Sequence, residues 1–336
     1  MLRLLLFLLI LAGPVPAAGL RVAVHSAELS RDGPGLIYRD LTAGTDAATL
    51  GEVSAIAAAR ADVLVLCGLD WDHDGLALAA LAAAVAAGGG PAYPYRLALR
   101  PNTGMPTGLD LDGDGRLGGP ADAQGFGAFA GQGGMAILSR LPAAGPPADH
   151  APRLWRDLPG AEPLPPEEAP VRRLSTTGHW VVPLRLTDGR QLTLMTWCAG
   201  PPAFGRGRDN IRRNRDETAF WGHLLDGAFG PPPAEPFVIA GSANLDPVAG
   251  DGDHEAIRRL IADPRLTDPR PRGPGEPPEA TVDWTRLRSG APGPGRLRTE
   301  YLLPARGIRV IAAAVIPPGP EGRHAIVTAD LDLPPP

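Results

Sequence analysis

Lysine is absent from this 336-residue chain: all 32 basic residues are arginines, and they stand against 37 acidic residues, for a formal net charge of −5. A chain with this acidic balance lacks the positive excess of a general nucleic-acid binder, so we expect no strong nucleic-acid interaction. Aromatic residues make up only 5%, but 44% of residues are hydrophobic and 21% are charged. This composition excludes a disordered acidic protein and a coiled coil.

Long apolar runs are also scarce. The run at 4–12 follows Arg3 and precedes the small residues at 15–17. It is too short to span a bilayer comfortably and has the order of a secretory signal. We therefore predict a signal peptide at 1–17 and a secreted or periplasmic domain at 18–336. An uncleaved N-terminal anchor is the alternative. We expect the mature chain to be a monomer without a transmembrane segment.

Apolar periodicity predicts helices and strands that alternate along the whole chain. No linker or internal repeat divides them, and the 43 glycines and 40 prolines indicate many loops. We predict one α/β domain in which two mixed sheets pack together between outer helices. The predicted helices lie at 47–60, 75–87, 209–226 and 253–262, and the predicted strands at 20–25, 63–67, 135–138, 180–184, 191–197, 237–240, 308–315 and 325–331.

Six short segments, in order along residues 20–332, together carry a family resemblance. They are the opening strand at 21–29, the strand at 63–66, G-M-A-I-L-S-R at 134–140, S-A-N-L-D-P at 242–247, R-T-E-Y-L-L-P at 298–304, and R-H at 323–324. In this order they resemble the motifs of the endonuclease/exonuclease/phosphatase superfamily. The Gly- and Asp-rich loop at 101–127 is similar to a secreted bacterial branch of it. The resemblance implies the four-layer fold of deoxyribonuclease I.

The resemblance also implies phosphoester hydrolysis with a divalent metal, and most of the residues that this chemistry needs are replaced here. An Asn and a Glu that help hold the metal stand as Ser26 and Gly68, a His stands as Cys198, and the Asp that activates water stands as Ser242. Mg²⁺ prefers anionic oxygen ligands, and a serine is a poor base at neutral pH. The family positions therefore predict a weakened or silent site.

Some family positions keep their chemistry. His324 and Asn244 remain, and Glu300 stands in place of the Asp that orients the histidine, although Arg323 replaces the Asp before it. We therefore predict a secreted family member that is catalytically impaired or inactive, with an unknown ligand or phosphoester in the ancestral cleft. The alternative is an active metal-dependent phosphodiesterase or phosphatase with a rearranged site, in which Mg²⁺ or Mn²⁺ is held by Glu28, Asp70 and Glu300. The further candidates for substrate binding are Asn102, His179 and Arg298.

Cys67 and Cys198 are the only cysteines, and both end predicted strands beside the ancestral cleft. An oxidising compartment permits a disulfide between them. However, side chains alternate along a strand, so Cys67 should point away from the cleft if Gly68 faces it. Alternation thus favours two separate thiols and leaves the disulfide as the alternative.

The segment D-L-D-G-D-G at 110–115 resembles the start of a calcium loop, with oxygen ligands at positions 1, 3 and 5 and a glycine at position 6. Asp110, Asp112 and Asp114 would then be ligands of Ca²⁺. The match is partial, because Ala121 occupies position 12 and Asp122 comes one residue late. An acidic surface loop without an ion is the alternative.

Overall fold

The computed structural model describes residues 19–287, 289–319 and 322–334. The predicted signal peptide at 1–17 lies outside the described residues. No helix within these three ranges is long and apolar enough to cross a membrane.

The first sheet has six strands in the order β12-β13-β1-β2-β4-β3. Strands β1 and β2 are parallel, and the other neighbours are antiparallel. Its strands are β1 (Leu20–Leu29), β2 (Val63–Leu69), β3 (Tyr95–Leu97), β4 (Gly134–Ser139), β12 (Arg309–Ile316) and β13 (Ile326–Asp332). Strands β2 and β4 are almost wholly buried, which explains why they read as apolar runs, whereas β1 is buried mainly in its middle.

The second sheet has five strands in the order β11-β8-β7-β6-β5. Strands β7 and β8 are parallel, and the remaining pairs are antiparallel. Its strands are β5 (Ala148–Asp149), β6 (Gly178–Arg185), β7 (Gln191–Cys198), β8 (Phe237–Ser242) and β11 (Glu300–Pro304). A separate hairpin of β9 (Val282–Arg286) and β10 (Pro292–Leu297) completes the strands of the described ranges.

Two hydrophobic clusters hold these layers together. One fills the space between the sheets and includes residues of the helices α4 (Asp209–Leu225) and α5 (His254–Ile261). The other joins the first sheet to α1 (Leu36–Ala43), α2 (Ala47–Ala59) and α3 (Leu76–Ala87). The prediction of two packed mixed sheets between outer helices is therefore confirmed.

Candidate functional site at one edge of the two sheets

The positions singled out from the sequence meet at one edge of the sandwich. Strands β1, β2, β7 and β8 end there, and β11 begins there. Across the first sheet, Ser26 of β1 is in register with Cys67 of β2. Across the second sheet, Ser242 of β8 is in register with Cys198 of β7 and with Glu300 of β11.

Two links close these rows into a ring that we call the inter-sheet ring: Ser26, Cys67, Cys198, Ser242 and Glu300. The Ser26 hydroxyl donates to Glu300 Oε1 at 2.6 Å. Cys67 and Cys198 form a disulfide, with their Cα atoms 5.8 Å apart. Each link runs from one sheet to the other, so a hydrogen bond and a covalent bond join the sheets on either side of Ser242.

The disulfide corrects the preference for two separate thiols. Strand β2 is irregular next to Cys67, because its register with both neighbouring strands shifts at this end. Gly68 has a φ of +84°, outside the extended region, so strict alternation does not apply there. Cys67 faces the second sheet, and both cysteines are buried, with 6% and 4% of their surfaces exposed.

Gly68 stands where the resemblance places a metal-binding Glu, and its backbone leaves no room for a side chain. A Cβ built there would lie under 3.0 Å from the Ala27 carbonyl oxygen, closer than real Cβ atoms approach. The positive φ adds a second penalty for any other residue. A Glu could therefore occupy position 68 only if the local backbone shifted.

Glu300 is the best-connected carboxylate of the site. Its Oε1 accepts from the Ser26 hydroxyl and lies 3.0 Å from His324 Nδ1, and its Oε2 accepts from the hydroxyls of Thr281 and Thr299. Burial opposes ionisation of Glu300, but the nearby His324 and these donors hold its pKa below the usual value. A carboxylate has about four acceptor positions, so Glu300 is saturated within the protein.

His324 is held on two sides. Its Nδ1 is within hydrogen-bond distance of Glu300 Oε1, while Trp284 of β9 meets the imidazole edge-on with ring centroids 5.6 Å apart. The Arg323 guanidinium lies 5.1 Å from the centroid of the Trp284 ring. Thr281, Thr299 and Trp284 are residues of this site that the sequence did not single out. Only the adjacency of Thr299 to Glu300 was a signal.

The two polar residues on β8 and after it differ in their bonding. Asn244 has a φ of +49° and donates from Nδ2 to the Ala199 carbonyl at 2.7 Å, so it holds a turn. The Ser242 hydroxyl is buried and has no hydrogen-bond partner among the described residues. A neutral hydroxyl thus stands where the resemblance implies an ionised Asp.

The carboxylates predicted as an alternative metal site, Glu28, Asp70 and Glu300, do not form a cluster of three. Asp70 accepts from the Ser30 hydroxyl and from the backbone N–H groups of Arg31 and Gly133, and burial raises its pKa. Glu28 lies in β1, and its N–H donates to Glu52. Within the described ranges, no three His, Cys, Asp or Glu side chains at this edge lie close enough together to share a metal ion.

Glu52 belongs to a second buried pair behind the first sheet. Its carboxylate lies 2.5 Å from Nε2 of His25, the residue before Ser26 on the opposite face of β1. Burial raises the pKa of Glu52, but the pairing with His25 outweighs it and leaves the pKa lowered. The pair ties β1 to α2 beneath the ring.

Asn102, His179 and Arg298 all lie inside the protein, and all three bond to protein groups, although Arg298 Nε has no partner among the described residues. Asn102 donates to the carbonyls of Ala151 and Ser175. His179 contacts the Ser175 hydroxyl and the carbonyl of Glu217, and burial lowers its pKa to about 3. Arg298 makes two bonds to Asp268, at 2.8 and 2.6 Å. Their role in substrate binding stays a prediction.

The acidic loop brings together a set of residues that differs from the predicted one. Asp110, Asp112 and Asp122 offer carboxylate oxygens that all lie within 4.8 Å of one another, a group able to hold a metal ion. Asp114 is outside this group and accepts from the Arg116 N–H. Asp122, one residue beyond the twelfth position, returns to the loop because its carboxylate accepts from the N–H groups of Leu111 and Gly119.

Comparison with known proteins agrees with this geometry. Residues 41–324 match the model of the endonuclease/exonuclease/phosphatase family, and the chain belongs to that family. No curated protein sequence matches the chain.

Solved structures show the same fold at low sequence identity. An endonuclease/exonuclease/phosphatase from Beutenbergia cavernae is 19% identical with a TM-score of 0.58, over 94% of this chain and 72% of its own. Sphingomyelinase C from Streptomyces griseocarneus is 17% identical with a TM-score of 0.52, over 93% and 99%. A mannosyl-6-phosphatase from Bacteroides thetaiotaomicron is 10% identical with a TM-score of 0.51, over 94% and 100%.

The fold is typical of metal-dependent enzymes, but the residues at the ring do not fit a hard divalent ion. The ring contains one carboxylate, whose acceptor positions are filled, together with neutral hydroxyls and a disulfide. Mg²⁺ requires anionic oxygens in octahedral geometry. The donor chemistry of this ring is therefore unsuited to the family metal.

Proposed function

We propose that this chain is a secreted, non-hydrolytic member of the endonuclease/exonuclease/phosphatase family that binds a ligand or partner in the ancestral cleft. One observation carries the proposal: Gly68 stands where the metal-binding Glu is expected, on a backbone that excludes a side chain. Ser242 in place of the activating Asp supports it, because loss of a general base alone costs about 10²–10⁴-fold in rate.

A hydrolysis assay tests this proposal. Protein treated with EDTA and protein supplied with Mg²⁺, Mn²⁺ or Ca²⁺ is incubated with plasmid DNA, RNA, bis-p-nitrophenyl phosphate, a sugar phosphate and sphingomyelin. We expect no hydrolysis above that of His324→Ala purified in parallel. Metal-dependent hydrolysis that is present in the wild type and lost in His324→Ala would instead establish the alternative, an active phosphodiesterase or phosphatase with a rearranged site.

Secretion is part of the same proposal. The apolar start of the chain has the order of a signal peptide, and a disulfide is stable in an oxidising compartment. Cell fractionation tests the location: recovery of the processed chain outside the cytoplasm supports secretion, and recovery of the full-length chain in the cytoplasm contradicts it.

We also propose that the acidic loop binds Ca²⁺ through the carboxylates of Asp110, Asp112 and Asp122. The three clustered carboxylates support an ion, and extracellular calcium sites of this kind have dissociation constants of about 10⁻⁴–10⁻³ M. This site is separate from the ring, so it supplies no ligand to the family chemistry.

A further inference from the structure

We infer that the Cys67–Cys198 disulfide and the Ser26–Glu300 hydrogen bond, without any divalent ion, join the two sheets at the cleft. This rests on the proposed function, in that the cleft lacks a hydrolytic metal site. It goes further by assigning the disulfide the task of fixing the cleft, so that the cleft depends on oxidation instead of metal.

The disulfide lies between the two sheets, next to the family positions. It links β2 in the first sheet to β7 in the second, across 131 residues of sequence. Cys67 is in register with Ser26 in the first sheet. Cys198 is in register with Ser242 in the second sheet, and Ser242 is in register with Glu300. A single covalent bond therefore sets the separation of the same strands that carry the family positions.

The charge of the ring is the second argument. A divalent ion at the ring would have to take Glu300 away from the hydroxyls of Ser26, Thr281 and Thr299 and from His324. The two sulfur atoms are bonded to each other and supply no thiolate. An ion would thus lose much of its hydration and gain no free anionic oxygen from the five residues of the inter-sheet ring.

The burial of the disulfide predicts how it responds to a reductant. Dithiothreitol would break the S–S bond, give two thiols and become a cyclic disulfide, which transfers two electrons and two protons. Because Cys67 and Cys198 are 6% and 4% exposed, we expect this exchange only when the protein unfolds.

Metal dependence is tested first, in an Asp112→Ala background that removes a carboxylate of the acidic loop. Thermal unfolding and calorimetric titration are followed with EDTA, MgCl₂ and MnCl₂. We expect the same Tm in all three and no heat of binding. Binding of Mn²⁺ that persists in Asp112→Ala and disappears when Glu300→Gln is added would overturn the inference.

The disulfide is tested next with Cys67→Ala/Cys198→Ala. We expect Tm to fall by roughly 3–7 °C, since the double variant loses the constraint that the disulfide places on the unfolded chain. Ser242→Ala is the matched control in the same ring; it removes an unpartnered hydroxyl and should leave Tm unchanged or raise it. Equal Tm values for the double variant and wild type would contradict the inference.

If the double variant does not fold, the wild-type protein decides the matter. Thiols are trapped with an alkylating reagent during denaturation in dithiothreitol, and the modified mass is measured. We expect no alkylation before unfolding and two alkylated cysteines after it. Two thiols already free in native protein kept without reductant would overturn the inference. Metal binding without hydrolysis would defeat this inference alone, and hydrolysis without bound metal would defeat the proposed function alone.

Discussion

At the scale of single residues, the site depends on small side chains in positions where the family chemistry needs large or charged ones. The sequence shows these replacements directly, since Ser26, Gly68 and Ser242 can be aligned with motifs. It does not show what each replacement does in space. Ser26 becomes a donor to Glu300, whereas Ser242 has no partner, and only the registers of β1, β8 and β11 determine that difference.

Gly68 permits a prediction with an internal control. Gly75 also has a positive φ, +67°, but a Cβ there would meet nothing within 4 Å. Gly75→Ala should cost about 1–2 kcal/mol of unfolding free energy for the left-handed backbone. Gly68→Ala should cost about 1–3 kcal/mol more, because its methyl group meets the Ala27 carbonyl. Denaturant unfolding of both variants measures the difference, and equal losses would remove the steric argument.

At the scale of elements, apolar periodicity located most helices and strands to within a few residues. Helices α2, α3, α4 and α5 and the strands of both sheet cores were predicted. Apolar periodicity missed α1, the short β3 and β5, and the β9–β10 hairpin, whose residues are partly exposed. It also missed the buried β11, which only the family resemblance indicated.

Calcium binding by variants of the acidic loop distinguishes the ligand set predicted from spacing, which includes Asp114, from the set in the structure, which includes Asp122. Calorimetric titration with CaCl₂ is expected to show weak binding, with a dissociation constant of about 10⁻⁴–10⁻³ M. Asp112→Ala should abolish it, because the structure places Asp112 with Asp110 and Asp122. Asp114→Ala is the matched control and should retain it. Loss of binding in Asp114→Ala as well as in Asp112→Ala would favour the set predicted from spacing, which contains both residues.

At the scale of the whole molecule, stability depends on buried ionisable groups as well as on the two apolar clusters. His179 is completely buried between the second sheet and α4, and burial lowers its pKa to about 3. The unfolded chain takes up a proton near pH 6.5, which the folded protein does not. The contribution of neutral His179 to the free energy of unfolding is therefore full above pH 6.5 and is lost as the pH falls towards 3.

His179→Gln tests this contribution while retaining a side chain able to donate and accept. Between pH 7.5 and 5, the wild type should lose about 2 kcal/mol more unfolding free energy than the variant. The comparison with the variant is necessary because burial raises the pKa of Glu217 to about 7, which acts in the opposite direction over the same range. Parallel pH profiles for the two proteins would show that His179 does not titrate as its burial predicts.

The sequence alone indicated the family, through the order of its motifs, and the two-sheet fold, through the apolar pattern of its strands and helices. It also placed Gly68 and Ser242 where the resemblance implies a metal ligand and a base. Only the tertiary structure decided that Cys67 bonds to Cys198, that Glu300 is saturated, and that Asp122 replaces Asp114 in the acidic group. Each of these depends on where a strand end or loop directs a side chain. A single irregular residue such as Gly68 can reverse that direction without any change in the pattern of the sequence.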